Sequence, residues 1–283
     1  MLAIVLWVYW PTIVQLFKDW RSDEDYSVGQ LVPLVALYLV WRDREALRSC
    51  RVAPCWWGLG LVLLAQAARL YGLLFLYESA ERYSLVLTVA GLVLLVAGWQ
   101  VFRRITWVLL FLLLMVPLPG RIHNLISGPL QTAATVGAVF LLEVVGVSVV
   151  REGNVIMIGG SVQLAVAEAC SGLRMLTAFV VVTATMAYLV NRPRWQKATL
   201  LVSSVPIGIA CNLIRLCVTA VLYLVASSEV AEKFFHDFAG LTMMPLAVFI
   251  LAGELWLLAR LVVSERPSTA RATEAQTASR RVS

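Results

Sequence analysis

The sequence predicts an all-α polytopic membrane protein of about eight transmembrane helices, with a small outer cap containing an interfacial helix and a β-hairpin. Three observations lead there. Hydrophobic side chains make up 60% of the 283 residues and charged ones 14%, with a mean hydropathy of +0.83; a water-soluble globule would need far more surface charge. The apolar residues collect into runs approaching the ~20 residues that span a bilayer. The basic residues lie in short clusters between those runs, which is how membrane topology is written and not how a nucleic-acid footprint looks.

In chain order the spans are expected at 1–17, 29–41, 56–76, 83–102, 105–118, 172–190, 198–226 and 241–263. The first lacks a basic leader and a small-residue cleavage signal, so it reads as a retained helix and not a signal peptide. The second and fifth are short. Residues 1–263 form one integral membrane domain, and 264–283, rich in Ser, Thr, Ala and Arg, form a disordered cytoplasmic tail.

Alternate connections carry the basic residues: Arg42, Arg44, Arg48 and Arg51; Arg103 and Arg104; Arg192, Arg194 and Lys197; and the tail arginines Arg266, Arg271, Arg280 and Arg281. The positive-inside rule assigns these thirteen to the cytoplasm, against six in the complementary loops, so both termini face the cytoplasm. Residues 125–150 are apolar enough to be another span, but a crossing there would put Arg192, Arg194 and Lys197 outside. Gly128, Pro129, Gln131, Thr132, Thr135 and Glu143 fit a helix lying in the outer interface instead. After it, β-branched runs flanking Arg151-Glu152-Gly153-Asn154 read as a hairpin. The outer cap is thus 119–169, and it leads directly into Cys170.

The five cysteines form no CxxC pair and no metal-ligand spacing with His123 and His236, so neither a metal nor a cofactor is expected. Cys170 lies 21 residues before Asn191, roughly 31 Å of helix, or about one hydrocarbon core, which sets it at the outer boundary. A nearby cation or a helix N-terminus promotes the thiolate, and here a helix starts at Gly172 with Arg174 one turn on. Glu168 flanks the cysteine on the other side. The plainer alternative for Cys170 is a packed core thiol. Arg215, inside an apolar run, stands roughly 26 Å up from Ala198 with Asn212 on the same helical face; it is either functional or paired with a carboxylate such as Glu143 or Glu168. His236, in the outer loop 227–240, suits general-base work, or serves as an interfacial anchor. Cys211 and Cys217 read as packing residues, Cys50 and Cys55 as cytoplasmic, and His123 as interfacial.

The runs Ala167-Glu168-Ala169-Cys170-Ser171-Gly172-Leu173-Arg174 and Asn212-Leu213-Ile214-Arg215, followed by His236 and Gly240, resemble the exosortase/archaeosortase family. The likeness extends to Asp25-Tyr26-Ser27-Val28-Gly29-Gln30-Leu31-Val32-Pro33, Pro117-Leu118-Pro119-Gly120 and Arg151-Glu152-Gly153-Asn154-Val155-Ile156. It implies a multi-pass cysteine protease or transpeptidase of a bacterial inner membrane. Its substrates would be exported proteins with a C-terminal PEP-CTERM-like motif, a transmembrane helix and a basic tail. The family's proposed catalytic set maps onto Cys170, Arg215 and His236, with Arg174, Glu168 and Asn212 as candidate supporting residues. Val28 stands where the family often has His. The rival class is a transporter or channel whose path is lined by Arg215, Arg174 and Glu168; it would require broken helices in related halves of the chain, and no such internal symmetry is visible.

Overall fold

A computed structural model describes residues 2–158, 162–165, 172–226 and 239–261. Ten of its helices carry the bundle: α1 (Leu2–Val8), α2 (Trp10–Ser22), α3 (Leu31–Arg42), the single turn α4 (Arg44–Arg48), α5 (Trp57–Leu74), α6 (Glu78–Val96), α7 (Gly98–Leu112), α9 (Leu173–Leu189), α10 (Arg194–Val225) and α11 (Ala239–Leu261). The helix α8 (Gly120–Val144) and strands β1 (Val149–Glu152), β2 (Val155–Ile158) and β3 (Val162–Ala165) form the cap region. Among the described residues, five helices are long and apolar enough to cross a membrane, namely α5, α6, α7 with its terminal 3₁₀ turn, α8 and α10, and α9 and part of α11 are shorter apolar helices. The chain is a multi-pass membrane protein.

The first expected span is two helices broken at Tyr9, because Pro11 opens α2 and cannot donate to the turn before it. The helix then continues beyond residue 17 to Ser22. Tyr9 is 1% exposed, and its hydroxyl lies 3.1 Å from Ser84 Oγ and 2.9 Å from Thr88 Oγ1, while Gln66 donates to both Tyr9 and Thr88. Where no water is present, such polar groups must satisfy one another across helices.

α5 and α6 form a tight hairpin because glycine lets their backbones meet: a β-carbon on Gly58 would come within 2.3 Å of Leu95 N. The boundary expected at 102–105 falls earlier. α6 ends at Val96 and the chain turns at Gly98, whose φ is +84° and whose missing β-carbon would lie 1.9 Å from the Ala53 carbonyl oxygen. Only glycine fits there, so Arg103 and Arg104 lie inside α7 and not in a loop. α7 finishes in a 3₁₀ turn, Leu113–Met115, ahead of Pro117 and Pro119.

The bundle segregates its charge. At one end Asp43 accepts from Tyr188 at 2.7 Å and lies 4.0 Å from Arg104, while Arg42 donates to the Leu189 carbonyl. At the other end Arg82 contacts Asp19 and Glu78, each at 2.7 Å, and shares a cleft with Asp23. α7 and α10 run from the basic end to the acidic end, and α9 runs back.

α8 is a single 25-residue helix, long and apolar enough to cross a bilayer. Its contacts nevertheless gather at the acidic end. His123 bonds to Tyr26, Ile126 faces Leu173 and Leu176, and Ala134, Ala138 and Leu142 pack on Leu216 and Ala220 of α10. β1 and β2 form the expected hairpin through the turn Gly153-Asn154, with Glu152 opposite Val155. A third antiparallel strand, β3, was not foreseen; the sheet order is β1-β2-β3. Ile156 and Ile158, both fully buried, seat the sheet on α8 and α10.

Candidate functional site

α9 and α10 form an antiparallel pair whose register is fixed by two glycines. Gly208 of α10 lies against Leu176 and Phe179 of α9, and Gly172, which opens α9, lies against Asn212. A β-carbon on Gly172 would stand 2.9 Å from Asn212 Nδ2, and the residue adopts a left-handed φ of +83°. The backbone conformation therefore favours glycine, and a β-carbon would also press on the Asn212 amide. Beyond the level of Asn212, α10 continues for thirteen residues, Leu213–Val225, an overhang of roughly 20 Å. The second half of α8 and the sheet pack around this overhang.

Asn212 and Arg215 share one face of α10 at the base of the overhang and are 2% and 5% exposed. Arg174 is half-buried on the first turn of α9. The described members of the expected site, Arg174, Asn212 and Arg215, thus lie within about one helical turn of the α9–α10 contact at Gly172. Cys170, Glu168 and His236 lie outside the described residues. Glu143, one of the carboxylates considered for Arg215, is exposed on α8.

α11 completes this end of the bundle. Ser203 of α10 donates to Glu254 of α11 at 2.7 Å. The thirteen-residue step from Ala226 to Ala239 covers at most about 47 Å, too little for α11 to run parallel to α10, so the two are antiparallel. Counting back fifteen residues along α11 from Glu254, and fifteen forward along α10 from Ser203, sets Ala239 level with Val218, about one turn beyond Arg215. The first residues of α9 and α11 and the Asn212–Arg215 face of α10 therefore meet at one end of the molecule.

Sequence reasoning missed a second polar group at the same end. Tyr26 and His123 are joined through the phenol and Nδ1 at 2.7 Å, and His123 Nε2 lies 4.0 Å from the Asp25 carboxylate. Burial, with help from Asp23 and Asp25, pushes the Tyr26 phenol up to about 12. The phenol keeps its proton, and it donates to Nδ1 when the neutral ring carries its hydrogen on Nε2. Thr177 of α9 donates to the Asp25 backbone carbonyl at 3.2 Å, linking this group to the helix that bears Arg174. Residues 26 and 123 are 97 apart, and no local signal connects them. Among the described residues, no group of three or more His, Cys, Asp or Glu side chains could hold a metal. Cys211 and Cys217 sit in packed helix contacts, as expected.

These features define a polytopic membrane protein with a buried cationic and polar site where three helices meet the cap. A family model described as transmembrane exosortase matches residues 20–253, most of the chain, and the protein belongs to that family. Family membership gives it a membrane sorting or processing role. No curated protein and no solved structure matches the chain.

Proposed function

We propose that this exosortase is a membrane-embedded cysteine peptidase or transpeptidase that cleaves C-terminal sorting signals of exported proteins at the outer face of a bacterial inner membrane. The observation that carries the reading is the seating of Gly172 on Asn212, one turn below buried Arg215. Two peptide units limit the Cα separation of Cys170 from Gly172 to about 7 Å, and three limit that of His236 from Ala239 to about 11 Å. These covalent limits support a reading in which both residues act at the Arg215 end of the bundle.

In this mechanism His236 takes the Cys170 proton and the thiolate attacks the scissile carbonyl. The buried guanidinium of Arg215 stabilises the oxyanion, Asn212 and Glu168 hold the neighbouring groups, and Arg174 favours the thiolate. Collapse of the tetrahedral adduct breaks the scissile C–N bond, His236 returns its proton to the departing amine of the C-terminal signal, and the resulting thioester is released by water or by an amine or other nucleophile on a cell-surface acceptor. Substrates carry a PEP-CTERM-like motif, a single span and a basic tail. The gathering of Arg42 and Arg104 at the opposite end supports a cytoplasmic basic end and an external site.

Cys170→Ser tests the reading. The variant should insert and fold normally while processing of a tagged substrate falls at least about 1,000-fold, the scale seen when a catalytic nucleophile is removed. Processing at the normal rate would end the cysteine mechanism.

A further inference from the structure

Beside the proposed site the protein holds a preformed cavity of about 200 Å³. Its walls come from the 3₁₀ turn Glu24–Gln30, the end of α7, the start of α8 and the first two turns of α9. On α9 the lining residues Leu173, Leu176, Thr177 and Val180 form one continuous stripe at the 3-4 helical spacing. The surface is almost wholly apolar, with Asp25, Tyr26 and Thr177 as its polar members. An apolar cavity of ~150 Å³ accepts a benzene ring, so this one has room for a single aromatic or branched aliphatic side chain.

We infer that this cavity is a specificity subsite, receiving one bulky apolar side chain of the substrate close to the scissile bond. The inference rests on the cysteine-peptidase reading. Leu173 is three residues from Cys170 in sequence, a Cα separation of at most about 11 Å, and an extended peptide advances ~3.3 Å per residue. The side chain received therefore belongs to a residue within about three positions of the cleaved bond. The match between cavity and occupant is of size and polarity. The cavity holds one side chain, its wall is continuous with the helix following the nucleophile, and its few polar groups suit the peptide backbone that accompanies a side chain. A lipid acyl chain carries no such groups.

The test uses the full-length protein in vesicles with reporter substrates bearing Ala, Leu or Phe at each of the three positions on either side of the cleavage point. At one position the unaltered enzyme should favour Leu or Phe over Ala by ten-fold or more in kcat/KM, the range expected for methylene-scale differences in an apolar pocket. Val180→Phe and Ile126→Phe, which fill the cavity, should abolish that preference while the Ala substrate is still cleaved. Val180→Ala should shift preference towards Phe. An unchanged preference in filled variants that remain folded and cleave in a Cys170-dependent manner would overturn the subsite alone. So would a parallel fall for all substrates, or a changed dependence on lipid chain length with residue preference intact. Cleavage that survives Cys170→Ser would remove the reading on which the subsite depends.

Discussion

Gly172 carries two constraints in one residue, a φ of +83° and a side chain's worth of space already filled by Asn212. Gly172→Ala therefore meets a left-handed penalty of about 1–2 kcal/mol and pushes α9 off Asn212. The expected result is a lower melting temperature in detergent together with weaker processing. Arg215→Lys keeps the charge and loses the planar fork, so processing should fall by about 10²–10³ if the guanidinium holds the oxyanion; an equal loss of thermal stability would mark Arg215 as a structural clamp instead. Tyr26 makes a pH prediction. The folded protein holds the phenol neutral up to about pH 12, whereas an unfolded phenol ionises near 10.0, so above pH 10 the unfolded chain gives up its proton first. Stability is complete below pH 10 and declines between 10 and 12, and Tyr26→Phe should flatten that decline in a series of melting curves.

Arg82 ties α6 to α2 at the acidic end, with its side chain 9% exposed and Asp19 and Glu78 both at 2.7 Å. Arg82→Ala leaves the half-buried Asp19 carboxylate without its cation, which should lower the melting temperature by less than the loss of a fully buried pair. The double variant Arg82→Ala/Asp19→Asn should recover much of that loss, and a double-mutant cycle measures the recovery. The α5–α6 hairpin is sensitive to volume. Gly58→Leu would force a β-carbon to within 2.3 Å of Leu95 N, so the helices must separate, and a drop in melting temperature beyond that of a surface Gly60→Leu control is expected. Most helix types and most of their ends were legible because apolar run length and flanking Pro and Gly are local properties. The 96–98 break was not, since Gly98 reads as an ordinary apolar-run residue until the Ala53 carbonyl is seen beside it.

At the scale of the molecule the bundle has a basic and an acidic end, and the cap sits at the acidic one. In oriented membranes a cysteine introduced at Gly153, in the turn of the sheet, should react with an impermeant thiol reagent from outside, and one at Arg48 only from within. Labelling of both from one side would overturn the proposed orientation. α8 meets the length criterion for a span, yet its partners, Tyr26, Leu173, Leu216, Ala220 and the buried Ile156 and Ile158, all belong to this end. Length and hydropathy alone make such a helix a candidate span; its packing partners lie at the end that holds the sheet.

The amino-acid order by itself determined the membrane class, the spacing of the basic clusters, the hairpin around Gly153 and the candidacy of Cys170, Arg215 and His236, because hydropathy, charge spacing and residue chemistry are written along the chain. Tertiary structure alone decided that Gly172 rests on Asn212, that Tyr26 reaches His123, and that the start of α9 walls an apolar cavity. Each of these joins residues from separate helices, and their distance in space follows from how helices pack and not from the order of residues along any one of them.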